Sequence, residues 1–239
     1  MNESGRFLAD EGVVEVELLE DQKTGLLVRP GSSDQEMLRD CTGRDYKYIN
    51  CKDQVILDLG GNIGGFMWRA ARDGAKSVVS FEPEPNNFAV LEQNYQRLLT
   101  KFPNVELKIV NEAVYDQPGI MELALRTGHY GACTPSLVRH GRKTASSVRV
   151  KVRAINQVLE LYRPSFIKID VEGAEYEILR ADLPTYVTRM AFEFHGQSPE
   201  HREEMWKLWD RLSASWNVVD LHKKKIFGTV QLLTGYLER

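Results

Sequence analysis

The chain has 239 residues, of which 42% are hydrophobic, 9% aromatic and 27% charged, proportions that exclude a disordered, collagen-like or coiled-coil protein. Its length fits one large domain or two small ones, and folding buries enough surface that no disulfide or metal staple is required. The net charge of −3 gives no bulk attraction for nucleic acid, and three cysteines (Cys41, Cys51 and Cys133) fit neither a disulfide framework nor a thiolate zinc site.

The opening residues lack the charged n-region and apolar h-region of a signal peptide, and no apolar run approaches the roughly 20 residues that span a bilayer. With so few cysteines, a soluble, cytoplasmic protein is expected. No internal repeat or low-complexity tract is present, which excludes solenoids and arrays. Residues 1–30 read as short strands around Val13, Val14 and Val16 and again at Leu26, Leu27 and Val28, closed by Pro30 and Gly31. Ser32, Ser33 and Asp34 then offer N-caps to a short helix through Met37 and Leu38.

From Val55 the pattern changes to strand and helix in alternation. Residues 55–59 (VILDL) form an apolar, β-branched run ending in a glycine-rich turn, followed by the helical stretch FMWRAARDG. Residues 77–82 are the second strand, and Pro85 opens a helix with Phe88, Leu91, Tyr95, Leu98 and Leu99 on one face. Residues 105–110, 166–170 and 189–195 read as the third, fourth and fifth strands. Pro199 opens a helix carrying Met205, Leu208, Trp209 and Leu212, so Trp206, Trp209 and Trp216 are expected to be core. The alternating segments Ile120–Leu125 and Val148–Val152 predict a hairpin. Residues 217–221 and 229–233 predict a closing antiparallel pair, with Lys223, Lys224 and Lys225 as a solvated turn between them. Near-continuous apolar strands alternating with helices mean a mostly parallel α/β sheet covered on both faces, with an antiparallel C-terminal edge. The expected organisation is an N-terminal appendage over residues 1–50 packed on one α/β domain over 51–239, with a hairpin and basic loop inserted at 118–153.

The sharpest local signal runs from Asp58 to Phe66, a strand end, a glycine loop and a helix start. Glycine at 60 and 64 allows a tight turn and close backbone approach to a ligand, and Asn62 is a side chain that tolerates left-handed φ/ψ. The helix start behind the loop presents free N–H groups. Glu82 closes the second strand, about 20 residues on, where an acid accepts hydrogen bonds from ribose hydroxyls. The loop half-matches a dinucleotide site, so NAD is a rival ligand. Asp58 would face a pyrophosphate badly and suits an ammonium-bearing ligand such as S-adenosylmethionine.

These residues resemble a class I S-adenosylmethionine-dependent methyltransferase, specifically the FkbM family. VILDLGGNIGGF is similar to the family's first motif and SFEPEPNNFAVLEQN to its second. FIKIDVEGAEYEIL (166–179) is similar to its fourth-strand signature and is the most specific of the three. Weaker likeness lies in GSSDQEMLRD (31–40), NEAVYDQPG (111–119) and FEFHG (192–196), so the resemblance covers about residues 25–235. The resemblance implies a Rossmann-like class I methyltransferase fold with a mostly parallel seven-stranded sheet. It implies Asp58 and Gly60 at the methionine moiety, Glu82 at the ribose and Asn111, Glu112 and Ala113 near the adenine. Gly61, Asn62, Gly64, Phe66, Pro83 and Asp170 complete the implied cofactor-binding set. The loop over 127–147 departs from the family in being longer and more basic, which leaves the acceptor open.

In an open α/β sheet, ligands bind beyond the carboxyl ends of the strands, where Asp170, Glu172, Glu193 and His195 fall. Methyl transfer is an in-line displacement in which the enzyme aligns three atoms, and an alcohol nucleophile gains from a base. His195 is the first candidate base because an imidazole titrates near neutrality, and Asp170 or Glu172 is the next. The run from Asp170 to Gly173 also reads as a helix N-cap with Glu175 in capping geometry. Lys168, alternating with apolar neighbours, reads as one half of an ion pair with Glu193 as its partner. Asp170, Glu172 and Glu193 are oxygen ligands hard enough for a divalent metal, but nothing in their spacing requires one, and none is expected. From Arg126 to Arg153 there is no acid against seven Arg and Lys residues. A basic loop bearing Tyr130, Arg139 and Arg142 would clamp an anionic acceptor with Glu193 nearby, or form a solvated rim.

The leading expectation is therefore O-methylation of a sugar, glycan or secondary-metabolite hydroxyl with S-adenosylmethionine. An NAD-dependent sugar oxidoreductase and a nucleoside- or nucleic-acid-binding module without turnover are the alternatives. Nucleic acid is disfavoured by the thin aromatic content of the basic loop.

Overall fold

A computed structural model describes residues 3–9, 12–43, 46–125, 136–137, 146–196, 198–226 and 229–239. The first part of the chain forms β1 (Glu3–Ala9), β2 (Gly12–Glu20), β3 (Leu27–Val28) and α1 (Asp34–Thr42). Then come β4 (Val55–Leu59), α2 (Gly65–Arg72), β5 (Ser77–Phe81), α3 (Pro85–Lys101) and β6 (Glu106–Val110). Next come β7 (Ala113–Tyr115), β8 (Gly119–Leu125), β9 (Ser136–Leu137) and β10 (Ser146–Ala154). The chain closes with α4 (Ile155–Tyr162), β11 (Phe166–Ile169), α5 (Glu175–Arg180), β12 (Arg189–His195), α6 (Pro199–Ser213), β13 (Asn217–Ile226) and β14 (Thr229–Glu238).

The largest sheet has seven strands in the order β13-β14-β12-β11-β4-β5-β6. Strands β11, β12, β4, β5 and β6 pair in parallel, and β14 pairs antiparallel with both β12 and β13. This is the Rossmann-like class I arrangement expected, with its antiparallel edge. Side chains alternate faces along a strand, and the central strands are apolar on both. Ile56, Val78 and Phe166 pack with α2 and α3 in one core, while Leu57, Leu59, Val79, Ile167 and Ile169 pack with α4, α5 and α6 in the other. Leu26, Leu27, Val28, Leu38, Tyr46 and Ile49 of the N-terminal segment enter the first of these cores. Trp216 is buried and Trp206 and Trp209 pack against the second, as core residues.

The hairpin is present as β8 and β10, paired antiparallel from Gly119–Val152 to Leu125–Ser146. It belongs to a separate four-stranded sheet, because β10 also pairs in parallel with β7. The turn expected at Lys223–Lys225 is corrected: all three lysines lie inside β13, which runs on to Ile226. As the edge strand of its sheet, β13 exposes an unpaired backbone face, and lysine is the residue that discourages another strand from pairing there. Lys223 also lies over the Trp206 ring at 4.9 Å. Among the described residues, no helix is long and apolar enough to cross a membrane.

Candidate functional site at the strand ends

The loop after β4 is shaped by backbone demands that few residues meet. Gly60 has φ +83°, and a Cβ there would lie 1.8 Å from the Asp170 carbonyl oxygen, so only glycine lets the loop approach the β11 end. Asn62 takes φ 47°, the left-handed conformation its side chain tolerates, and Gly64 follows at φ 96° as the N-cap of α2. The Gly60 and Gly61 amides both donate to the Phe81 carbonyl, which ties the loop to β5.

Beside the loop opens a cavity of about 480 Å3. Gly60, Asn62, Glu82, Pro83, Glu112, Ala113, Asp170, Glu172, Glu193 and His195 of the expected set line it. Asn111 stands behind, donating from Nδ2 to the Glu82 carbonyl at 2.8 Å. Gly61 and Gly64 support the loop. Phe66 is corrected from ligand contact to core: it is 2% exposed and meets Tyr46 and Phe166 edge-on. Tyr130, Arg139 and Arg142 lie outside the described residues.

Glu82 is 3% exposed and accepts from the Asn62 amide at 2.8 Å and the Glu84 amide at 2.9 Å, leaving each oxygen one further lone pair. Burial pushes its carboxyl up to about 7, helped by Glu84 and restrained by the two amides and by Lys168. Asn87, which the sequence reading passed over, also lines the cavity; its Oδ1 accepts from Arg29 at 2.8 Å, while its buried Nδ2 has no hydrogen-bond partner. The same Arg29 pairs with buried Asp34 at 2.8 Å, fastening α1 onto α3 so that Glu36, Met37, Asp40 and Cys41 wall the cavity. Burial pushes the Cys41 thiol up to about 12, so it is neutral.

Strand register explains the buried polar triplet behind the loop. Lys168 stands opposite Asp58, and Asp58 opposite Ser80, on three adjacent strands. Ser80 Oγ donates to Asp58 Oδ2 at 2.5 Å, and Lys168 Nζ lies 3.3 Å from Asp58 Oδ1. Asp58 is fully buried and outside the cavity lining, which corrects its expected contact with a ligand ammonium. Lys168 Nζ also donates to the Gly60 carbonyl at 2.6 Å and sits 3.5 Å from Asp170 Oδ2. Its near partners are thus Asp58 and Asp170, a correction of the expected pairing with Glu193, whose charge acts on it more weakly. Burial alone would lower the Lys168 ammonium, but Asp58 and Asp170 outweigh it and hold the group charged.

At the far wall, the helix N-cap expected at Asp170–Gly173 is corrected, because α5 begins at Glu175 with Ala174 as its N-cap. Glu172 (φ 56°) and Gly173 (φ 109°) instead make a left-handed turn that sets the Glu172 carboxylate in the cavity wall. Glu175 is fully buried, with Oε1 at 2.6 Å from His195 Nδ1. His195 Nε2 lies 3.5 Å from Glu172 and 3.8 Å from Glu193. Burial opposes the imidazolium, yet Glu175, Glu172 and Asp170 outweigh it and push His195 up to about 10. His195 is therefore protonated at neutral pH and corrected as the first candidate base.

The described lining holds seven carboxylates (Glu36, Asp40, Glu82, Glu112, Asp170, Glu172 and Glu193), His195, and no lysine or arginine. Arg153, from the basic stretch, is paired with Glu112 at 2.7 Å. The described wall is acidic, while the loop residues Tyr130, Arg139 and Arg142 expected to clamp an anionic acceptor lie outside the described residues.

A family model described as the Methyltransferase FkbM domain matches residues 58–215. No curated protein matches the sequence. Among solved structures, the chain is similar to a methyltransferase FkbM from Methylobacillus flagellatus KT at 14% identity, over 79% of this chain and 44% of that one, with a TM-score of 0.49. It thus spans less than half of that protein's length. It is similar to the magnesium protoporphyrin IX methyltransferase of Synechocystis PCC 6803, solved with bound S-adenosylmethionine, at 10% identity over 86% and 79% (TM-score 0.45). A Pyrococcus horikoshii protein described as a candidate RNA methyltransferase is similar at 14% identity over 85% and 83% (TM-score 0.45).

Proposed function

The chain belongs to the FkbM methyltransferase family, and on that premise we propose that it is an S-adenosylmethionine-dependent O-methyltransferase for a hydroxyl of a sugar, glycan or secondary metabolite. The observation that carries the reading is one cavity reaching from a buried ribose-type acceptor, Glu82, to a wall of carboxylates at the ends of β11 and β12. Its volume of about 480 Å3 lies in the range of small-molecule sites. The free lone pairs of Glu82 and the unpartnered Asn87 Nδ2 are polar groups a nucleoside would satisfy. Phe81, Ala113, Val114 and Leu123 supply apolar surface for a base.

When bound, S-adenosylmethionine supplies an electrophilic methyl on a sulfonium and is left as S-adenosylhomocysteine. Glu82 anchors the ribose by accepting its hydroxyl protons in hydrogen bonds. Lys168, locked on the Gly60 carbonyl and Asp58, holds the glycine loop in position without reaching the ligand. At the opposite wall, Asp170 orients the acceptor hydroxyl and Glu172 takes its proton as the new carbon–oxygen bond forms. The acid-rich lining supports a neutral or cationic acceptor over a polyanionic one.

The test is transfer of label from methyl-labelled S-adenosylmethionine to panels of neutral glycans and hydroxylated metabolites. Incorporation into an ether product is expected, and product methylated on nitrogen or sulfur with hydroxyl acceptors inert would overturn the O-methyl reading.

A further inference from the structure

We propose that Asp170, Glu193 and His195 bind one divalent transition-metal ion in the cavity wall. The strand register that pairs Ile169 with Phe192 brings Asp170 beside Glu193, and Glu193 and His195, two apart on β12, share one face. One ligand atom from each of the three lies within 4.8 Å of the others. An ion bound at about 2.0–2.2 Å from each needs ligand atoms roughly 3–4 Å apart, a contraction within reach of side-chain rotation. His195 Nε2 and Glu193 Oε2 already stand 3.8 Å apart.

The second observation is the support behind the histidine. Glu175, fully buried, holds His195 Nδ1 at 2.6 Å, and its other oxygen, Oε2, has no hydrogen-bond partner. A carboxylate on Nδ1 fixes the ring and turns Nε2 toward the ligand side, the arrangement that orients metal-binding imidazoles; the ion takes the place of the Nε2 proton, which is released to solvent on binding. Tyr176 Oη donates to the His195 carbonyl at 2.9 Å and so steadies the strand end. Charge points the same way. Asp170, Glu172, Glu175 and Glu193 converge here, against His195 and the one lysine, Lys168, which is shared among Asp58, the Gly60 carbonyl and Asp170 Oδ2 at 3.5 Å.

The proposed ligands are partly open to the cavity, with side-chain exposures of 20% for Asp170, 18% for Glu193 and 14% for His195. An ion held there keeps coordination positions free for water or an acceptor oxygen. One imidazole nitrogen with two carboxylates suits Mn2+, Fe2+ or Zn2+ better than Ca2+ or Mg2+. The binding rests on these side chains and not on the identity of the methyl acceptor, so it is measured without turnover.

The experiment strips the 239-residue chain with a chelator, then titrates it with Mn2+ while electron paramagnetic resonance reads the free ion. One equivalent should bind, with echo modulation from one imidazole nitrogen. Glu193→Gln and His195→Ala should each weaken binding at least tenfold, and Glu175→Gln, behind the ligands, about tenfold. Far-UV circular dichroism and S-adenosylhomocysteine binding report whether each variant is folded. Absence of stoichiometric Mn2+ and Zn2+ binding by the unaltered protein would overturn the proposal, as would bound Mn2+ without the nitrogen signature. Loss of S-adenosylhomocysteine binding with Mn2+ binding intact would refute the cofactor reading and leave the metal site standing.

Discussion

Replacing Glu82 by glutamine should change stability and cofactor affinity in opposite, pH-dependent ways. The carboxyl lies at about 7 in the folded protein against an ordinary value of 4.5, chiefly because it is buried. A folded-state value above the unfolded one means that the group's contribution to stability is full below about pH 4.5 and is lost as pH rises through 7. The difference amounts to about 3 kcal/mol; burial and the Glu84 charge raise the value, and the Glu84 and Asn62 amides and Lys168 restrain it. Between pH 5 and 8 the ligand-free protein should thus lose up to about 3 kcal/mol of unfolding free energy relative to Glu82→Gln. The variant bears its own pH-independent cost of about 1–3 kcal/mol, because an amide cannot accept from both the Asn62 and Glu84 N–H groups. S-adenosylhomocysteine should show the reverse trend. Its affinity for the native protein should fall about tenfold per pH unit below 7. In Glu82→Gln it should be weaker by about 1.5–3 kcal/mol at pH 8 and flat with pH. Urea unfolding and calorimetric titration at pH 5, 6.5 and 8 measure both. A stability difference constant with pH, or equal affinities for the two proteins at pH 8, would refute the reasoning.

Three further substitutions probe the rest of the site. Glu172→Gln should slow methyl transfer by about 10²–10⁴-fold while S-adenosylhomocysteine affinity is kept; single-turnover kinetics beside calorimetry separate the two. Lys168→Met leaves buried Asp58 without its cation and should cost about 3–5 kcal/mol in urea unfolding. The double variant with Asp58→Leu should recover part of that loss. Gly60→Ala places a Cβ 1.8 Å from the Asp170 carbonyl oxygen in a left-handed backbone, and should lower stability by at least about 3 kcal/mol by thermal unfolding.

The parts of the fold legible in the sequence are those where one short stretch carries its own pattern. β12 spans Arg189–His195 as read, β4 spans 55–59 as read, and Pro85 and Pro199 open α3 and α6 because proline is pre-set for a first helical turn. The glycine loop and Glu82 were placed by residue type alone. What the sequence hid are contacts between distant segments. The Lys168 pairing follows from strand register across β11, β4 and β5, which no local pattern encodes. The charge of His195 depends on Glu175, brought under the imidazole by the packing of α5 on β12. Asn87 gave no signal, because its role comes from α1 being tied down by Arg29 and Asp34. The lysines of β13 looked like a turn because edge strands carry charge for reasons of assembly rather than of strand propensity.

The most direct test of the central claim is a pair of calorimetric titrations of the purified chain, one with S-adenosylhomocysteine and one with NAD. Saturable binding of S-adenosylhomocysteine, weakened by Glu82→Gln, with no heat from NAD is the predicted result. Binding of NAD with none of S-adenosylhomocysteine would contradict the account and make the glycine loop a dinucleotide site.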